Sequence, residues 1–321
     1  MRRLITILLL LLCHSAAIAQ RADAVMFYNV ENLFDTINNP ATSDEDFLPL
    51  ADREWNSEKY HTKLTRIASV IADLHDECPT LVGLAEVENR AIVEELARQE
   101  AIASANYAIC HYESPDERGI DVALMYRPDR FQLEGSRAIR AAAEGLTRDI
   151  LCAWGEMQGR PTYVIVVHLP SRIGGVRFTE PERRACARQV REVVDSVLVA
   201  SPKTQIILMG DMNDNPRNKS IRDDLKATHR PKEAGELYNP FAALKRKGKG
   251  TSVYDGRWNM YDNIVVSQNT PLLPIRKHDK GAIYRHRALL DNRGRPLSAY
   301  EGVEYRAGVS DHLPIYILIS K

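Results

Sequence analysis

An excess of charge of either sign is missing from this sequence: 43 Lys and Arg stand against 43 Asp and Glu. That balance argues against a polybasic nucleic-acid tail or a strongly cationic surface, although a local basic patch is compatible with a zero sum. No segment repeats at a period of about 20–50 residues and no low-complexity tract occurs, which removes solenoids and fibrous arrays. The five cysteines form neither a CxxC pair nor a Cys/His cluster, so a structural zinc site is not expected. Long apolar runs are lacking beyond the N-terminus, and with 44% apolar and 7% aromatic residues the chain has ordinary globular composition rather than that of a disordered, collagenous, coiled-coil or multi-pass membrane protein.

The one long apolar run, Leu4 to Cys13, follows Arg2 and Arg3 and precedes Ala17-Ile18-Ala19. A charged start, a short apolar core and a small-residue triplet together read as a secretory signal peptide over residues 1–19. Its removal leaves 41 basic against 43 acidic residues, a slightly acidic protein expected to be exported, periplasmic or secreted, with no integral membrane segment. Residues 20–321 read as one domain. Cys78, Cys110, Cys152 and Cys186 are sparse and flanked by apolar residues, so buried thiols with at most one bridge are expected.

Apolar positions Leu64, Ile67, Ala68, Ile71 and Leu74 recur at helical spacing and predict a helix over 60–75, and further helices are expected over 90–100 and 181–199. Short strand-like runs fill the middle of the chain with tight turns between them, which predicts antiparallel meanders and an α+β domain of two packed sheets.

One arrangement recurs: an apolar run, then carboxylates, amides or histidines at its end. It occurs at Tyr28-Asn29-Val30-Glu31-Asn32, Leu84-Ala85-Glu86-Val87-Glu88, Val167-His168-Leu169, Gly210-Asp211-Met212-Asn213 and Ser310-Asp311-His312. Strand ends converging at one sheet rim are where a rigid scaffold places functional side chains. A hard divalent cation needs oxygen ligands. Glu86 and Asp311 are the first candidates, with Asn29, Asp211 or Asn213 completing the shell and Glu88 as an alternative. Each has a plainer reading: Glu86 as a cap of the following helix, Asp211 as an Asx-turn residue before Asn213. Phosphoester hydrolysis also needs proton transfer, which suits His168 and His312. Taken singly, either histidine reads more readily as a structural hydrogen-bonding residue.

Seven such pieces in this order, Asn29, Glu86, Gly119-Ile120-Asp121-Val122, His168, Asp211-Met212-Asn213, Tyr261-Asp262-Asn263-Ile264 and Ser310-Asp311-His312, resemble the endonuclease/exonuclease/phosphatase superfamily typified by deoxyribonuclease I, from about Ala24 to Ile319. The resemblance implies a four-layer αββα sandwich of two mainly antiparallel sheets and a Mg²⁺- or Mn²⁺-dependent phosphodiester hydrolase. It implies Glu86, Asn29 and Asp311 on the metal side, Asp211 and Asn213 orienting water or phosphate, and His312 as general base oriented by Asp262. His168 would stabilise the phosphate or protonate the leaving group, with Asp121 orienting it.

Arg172 is expected to clamp phosphate oxygens. Lys245 to Lys249 reads first as a solvated tip and Trp258 equally as core, though such a basic cluster with Tyr254 and Trp258 nearby could hold a nucleic-acid strand. Substrate is therefore expected to be nucleic acid or another phosphoester, such as a phospholipid headgroup, inositol phosphate or sugar phosphate. A secreted binding module is the non-catalytic alternative, and no feature calls for an obligate protein partner.

Overall fold

Alternation along the strands decides the layering. The computed structural model describes residues 22–320; the leader expected over residues 1–19 lies outside them. The first half of the chain runs through β1 (Asp23–Leu33), α1 (Ser57–Leu74), β2 (Leu81–Val87), α2 (Arg90–Ala97), β3 (Ala108–His111), β4 (Asp121–Tyr126), β5 (Phe131–Ile139), β6 (Ile150–Met157) and β7 (Arg160–His168). Next come α3 (Val176–Ala200), β8 (Gln205–Asp211), β9 (Ala227–Thr228), β10 (Leu237–Tyr238), α4 (Phe241–Arg246), β11 (Ser252–Tyr254), β12 (Arg257–Asn259) and β13 (Asp262–Ser267). The chain closes with β14 (Gly281–Ile283), β15 (Tyr300–Glu301), β16 (Glu304–Tyr305) and β17 (Ile315–Ile319).

One sheet has the order β14-β17-β1-β2-β4-β3 and the other β5-β6-β7-β8-β13-β10-β9. Both are mixed but mainly antiparallel; β1 with β2, β7 with β8 and β9 with β10 run parallel. Val25 and Phe27 of β1 point to the space between the sheets, where they meet Val164, Val166, Ile207 and Met209. Their neighbours Met26 and Tyr28 point outward and are covered by Leu64 and Ile67 of α1 and Ile92 of α2. On the far side, Ile165, Ile206 and Leu208 are covered by Cys186, Val190 and Val194 of α3. Period-two side-chain alternation thus generates three apolar interfaces and four layers, the expected αββα sandwich.

The helices start where the sequence offers caps. Asn56 Oδ1 accepts from Lys59 N at 3.1 Å and Asn89 Oδ1 from Ile92 N at 3.0 Å, each satisfying a backbone donor the helix leaves free. The third helix differs from expectation: it begins at Val176, after Gly175 at φ 111°, and Pro181 lies inside it. So near the helix start, the missing N–H of Pro181 forfeits a single i to i−4 bond and the helix runs on. All four described cysteines are free thiols, and Cys110, Cys152 and Cys186 are buried. No described helix is long and apolar enough to cross a membrane.

Gly210 is a point where the fold has no space. A Cβ there would lie 2.1 Å from the carbonyl oxygen of Val167 on the neighbouring strand, a backbone atom that cannot swing away. Gly210→Ala is expected to lower stability by about 1–3 kcal/mol through forced displacement of β7 from β8, read by denaturant unfolding; an unchanged midpoint would contradict this packing.

Candidate active site

Strand register brings the site residues together. In the second sheet His168 stands beside Asp211, and Asp211 beside Asp262, so one row across β7, β8 and β13 presents three polar side chains. They share parity with Val166, Met209 and Ile264, which face the space between the sheets. Asn29 likewise follows Val25 and Phe27 on the inner face of the first sheet. By parity Glu86 should point the other way. A register shift between Ala85 and Val87, with Glu86 at φ 64°, turns its side chain inward. Such bulges re-aim side chains at functional rims.

Asn29 joins the two sheets. Its Nδ2 donates to Glu86 Oε1 at 3.0 Å and to Asp211 Oδ2 at 3.1 Å, while its Oδ1 accepts from Glu31 N at 2.9 Å. Glu86 Oε2 accepts from Asn32 N at 2.9 Å. The cap of α2 belongs to Asn89, so the helix-capping reading of Glu86 fails. For Asp211 both readings hold: Oδ1 accepts from Asn213 N at 2.8 Å in an Asx-turn, while Oδ2 faces Asn29. Asn213, at φ 49°, donates its Nδ2 to Leu169 O at 2.9 Å.

His312 Nδ1 lies 2.7 Å from Asp262 Oδ2, and its Nε2 3.7 Å from Asp211 Oδ2. Ser310 positions the ring: its Oγ donates to Asn29 O at 2.7 Å and accepts from His312 N at 3.0 Å. Burial alone would lower the pKa of His312, but Asp262, Asp211 and Asp311 outweigh it and raise it well above the usual imidazole range. His168 Nε2 sits 3.7 Å from Asp211 Oδ2 and 4.0 Å from Glu86 Oε1, and its Nδ1 is buried with no partner. Burial, then Arg148, Arg118 and His312, hold His168 well below its ordinary value.

Burial pushes Asp211 up to about 6, with Asp262 adding to it. Asp311 is at the exposed rim, yet desolvation by the surrounding protein, with Glu31, Glu86 and Asp211, raises its carboxyl to about 7. Carboxylates crowded enough to retain protons fit a site built for a hard cation; Asn29, Glu86 and Asp311 supply oxygen atoms of the kind Mg²⁺ or Mn²⁺ takes.

Two expected roles are not seen. Asp121 has the parity of Ala123 and Met125, whose side chains face the helices on the outer side of the first sheet, away from His168. It contacts His111 Nε2 at 3.2 Å and accepts from Ser114 N at 2.9 Å. Arg172 is not a free fork either. Its Nε donates to Asn213 O at 2.6 Å, and one terminal nitrogen serves Asp214 and Asn218. It braces the turn that carries Asn213. Glu88 accepts from Asp35 N at 2.8 Å, outside the cluster, and burial raises it to about 7.

Other groups escaped sequence reading. Glu31 accepts from Ala299 N at 2.9 Å, from Asp311 N at 3.2 Å and from Ser298 Oγ, tying the Asp311 loop to β1. Lys63 of α1 is buried, its Nζ donating to Glu31 O. Beside it a cavity of about 130 Å³ is lined by Asn32, Arg53, Trp55 and Tyr300. Half of the basic tip is spent, with Lys245 donating to Trp258 O and Lys247 pairing with Asp279 at 2.7 Å, while Arg246 and Lys249 are exposed as a solvated tip would be; Arg285 covers the Trp258 ring at 4.9 Å. Tyr254 stays 70% exposed, on a hairpin bridged to the site through Ser252 and His312.

The sequence profile of the endonuclease/exonuclease/phosphatase family matches residues 24–321. The chain belongs to that family, whose members are hydrolytic phosphoesterases. Among solved structures, D. rerio TDP2 complexed with a single-strand DNA product aligns at TM-score 0.57 and 20% identity over 94% of this chain and 99% of its own. The Bacteroides thetaiotaomicron mannosyl-6-phosphatase Bt3783 aligns at 0.57 and 17%, over 93% and 100%. The human Nocturnin catalytic domain with bound sulfate gives 0.56 and 17%, over 93% and 94%. At these identities the likeness establishes the fold. A search of curated protein sequences finds no match.

In metal-free protein the two site histidines should titrate in opposite senses. His168, held low, stays neutral as pH falls through its ordinary value of about 6.5, whereas His312, held high, is still protonated above that pH. Imidazole ¹⁵N chemical shifts between about pH 5.5 and 8 check this; a His168 that protonates with an ordinary midpoint would contradict its burial.

Proposed function

We propose that this protein is an exported, Mg²⁺- or Mn²⁺-dependent phosphodiesterase that hydrolyses nucleic acid. The observation that carries the chemistry is the His312–Asp262 pair aimed at Asp211 across from Asn29 and Glu86. Asn29, Glu86 and Asp311 would hold the cation, which when bound supplies charge stabilisation to the phosphate and offsets the crowded carboxylates.

The protein's own groups do the rest. Asp262 fixes the ring of His312 through Nδ1; in the neutral imidazole, which a bound cation would favour by offsetting the carboxylates that raise its pKa, Nε2 is free to accept a proton from the attacking water. Asp211, held by Asn29 and by the turn at Asn213, orients that water on the face of the site opposite Glu86. Neutral His168, with Nε2 turned toward the same carboxylates, can donate a hydrogen bond to a phosphate oxygen without adding a full charge. Exposed Tyr254 on the hairpin next to His312, together with exposed Lys249 and Arg257, supports an extended polyanion leaving the site, since aromatic faces and cations are what single strands grip. Export rests on the charged, apolar and small-residue pattern of residues 1–19.

A second reading keeps the chemistry and takes a compact sugar or inositol phosphate. The cavity beside Glu31 favours it, because buried Lys63 and half-buried Arg53, whose guanidinium stacks 4.8 Å from the Phe47 ring and 5.6 Å from the Tyr300 ring, suit one anionic headgroup. On this reading Arg53→Ala raises KM for such substrates and leaves nucleic-acid cleavage intact.

Purified protein with Mg²⁺ or Mn²⁺ is expected to nick DNA or RNA, and chelator to abolish the activity. His312→Ala should lower kcat by about 10²–10⁴-fold with little change in thermal midpoint. Hydrolysis of sugar phosphates with no cleavage of any nucleic acid across a range of salt would replace the first reading with the second. Full activity in folded His312→Ala would overturn the mechanism.

A further inference from the structure

A second constellation lies on the other face of the same rim. The register sets His111 opposite Ala123 and Ile109 opposite Met125, so His111 shares the outer face of the first sheet with Asp121. Its imidazole is 2% exposed, and Nε2 is buried without a hydrogen bond although Asp121 Oδ2 is 3.2 Å away. No hydrogen bond joins the two atoms, so the nitrogen remains available to a third partner. Two donors about 2.0–2.1 Å from one tetrahedral ion stand roughly 3.3 Å apart. Glu113 completes the group: its side chain is 67% exposed and lies beside Asp121, and one ligand atom from each of the three residues falls within 4.8 Å of the others. Burial and the neighbouring Asp121 raise the Glu113 carboxyl, so the two acids share space that a cation would relieve.

We propose that His111, Glu113 and Asp121 form a second divalent-cation site, separate from the catalytic centre and selective for an ion that accepts imidazole, with zinc as the type. A nitrogen donor beside two carboxylates suits zinc better than Mg²⁺ or Ca²⁺, which prefer all-oxygen shells. The sequence argued against structural zinc because its cysteines and histidines lack the usual spacing; here the pairing of β3 with β4 supplies the proximity that spacing did not. The site would pin the loop between those strands. In that loop Asp116 accepts from Arg148 at 2.9 Å, and Arg148 in turn donates to Leu169 O at 2.8 Å, next to His168. A bound ion would therefore fix the wall behind the active-site histidine while touching none of the groups assigned to catalysis.

Equilibrium dialysis of the full chain against zinc chloride, followed by elemental analysis, tests this. Wild type is expected to retain one more Zn²⁺ per chain than His111→Ala, and Glu86→Gln to keep that His111-dependent ion. Glu113→Gln, altered only on the exposed side, should bind it at least about tenfold more weakly. Equal zinc content in wild type and folded His111→Ala would reduce the cluster to a buried imidazole–carboxylate pair. If His111→Ala fails to fold, unchanged zinc affinity in Glu113→Gln overturns the proposal by itself, as does loss of all zinc in Glu86→Gln.

Discussion

The side-chain amide of Asn29 is the contact on which the site depends. It lies on the first sheet, and its two N–H groups reach Glu86 on that sheet and Asp211 on the second. Two carboxylates facing across a buried gap repel, and an amide is a neutral group able to bridge both by donating twice. An aspartate there would add a third negative charge, and an alanine would leave two acceptors unpaired in a buried setting. The sandwich explains why the bridge is possible: its inner faces converge at this rim, so one short side chain spans them. The Gln158 amide, donating to Asp23, links the sheets at the opposite end, where no histidine is at hand. There the link is structural alone.

Four of the twelve described non-glycine residues with left-handed φ lie around that bridge. Glu31, Asn32, Glu86 and Asn213 all have left-handed φ values near 50–65°, a region costing a non-glycine residue of order 1–3 kcal/mol. Each strained residue moves a functional atom. Glu86 is turned from the helix face to the inner face, Asn213 places its N–H on Asp211, and Glu31 with Asn32 wraps the end of β1 around the Glu86 carboxylate. The strain is repaid by hydrogen bonds within the site, and Arg172 and Asp214 brace the turn from behind. Little freedom remains for these residues to reorganise when substrate arrives, as preorganised electrostatics requires.

Much of this was legible in the chain. The helical spacing of Leu64, Ile67 and Ile71 reports burial directly and the apolar run Ala24 to Tyr28 marks a strand buried on both faces, so two packed sheets followed from pattern, while the four layers came from the family resemblance. The polar clusters at strand ends were visible because strands end where apolar alternation stops. What failed to show depends on register and direction. Asp121 sits in an apt motif, but a strand residue faces one side only, and its parity sends it outward. Arg172 has the charge and position for a phosphate clamp, yet Asp214, the residue after Asn213, claims the guanidinium. Lys63 carried no sequence signal at all, because its burial rests on a tertiary contact with Glu31 O and on a cavity it shares with the distant residues Ala299 and Tyr300.

The two faces of the rim also explain how a chain with no net charge can have a phosphate-binding site. Its acids are sorted by parity, with Asp211, Asp262 and bulge-turned Glu86 going inward and Asp121 outward with Glu113 nearby. Cations are sorted too, and most basic side chains near the rim, Arg148, Arg172 and Lys245, are held by carboxylates or carbonyls. The residual field at the mouth is therefore short-ranged and set by a few groups. Such a site recognises phosphate by placing donors at close quarters, in contrast to a long-range basic surface whose pull would fall away with salt. A zero sum of charge thus constrains how the substrate is held far more than whether it is held.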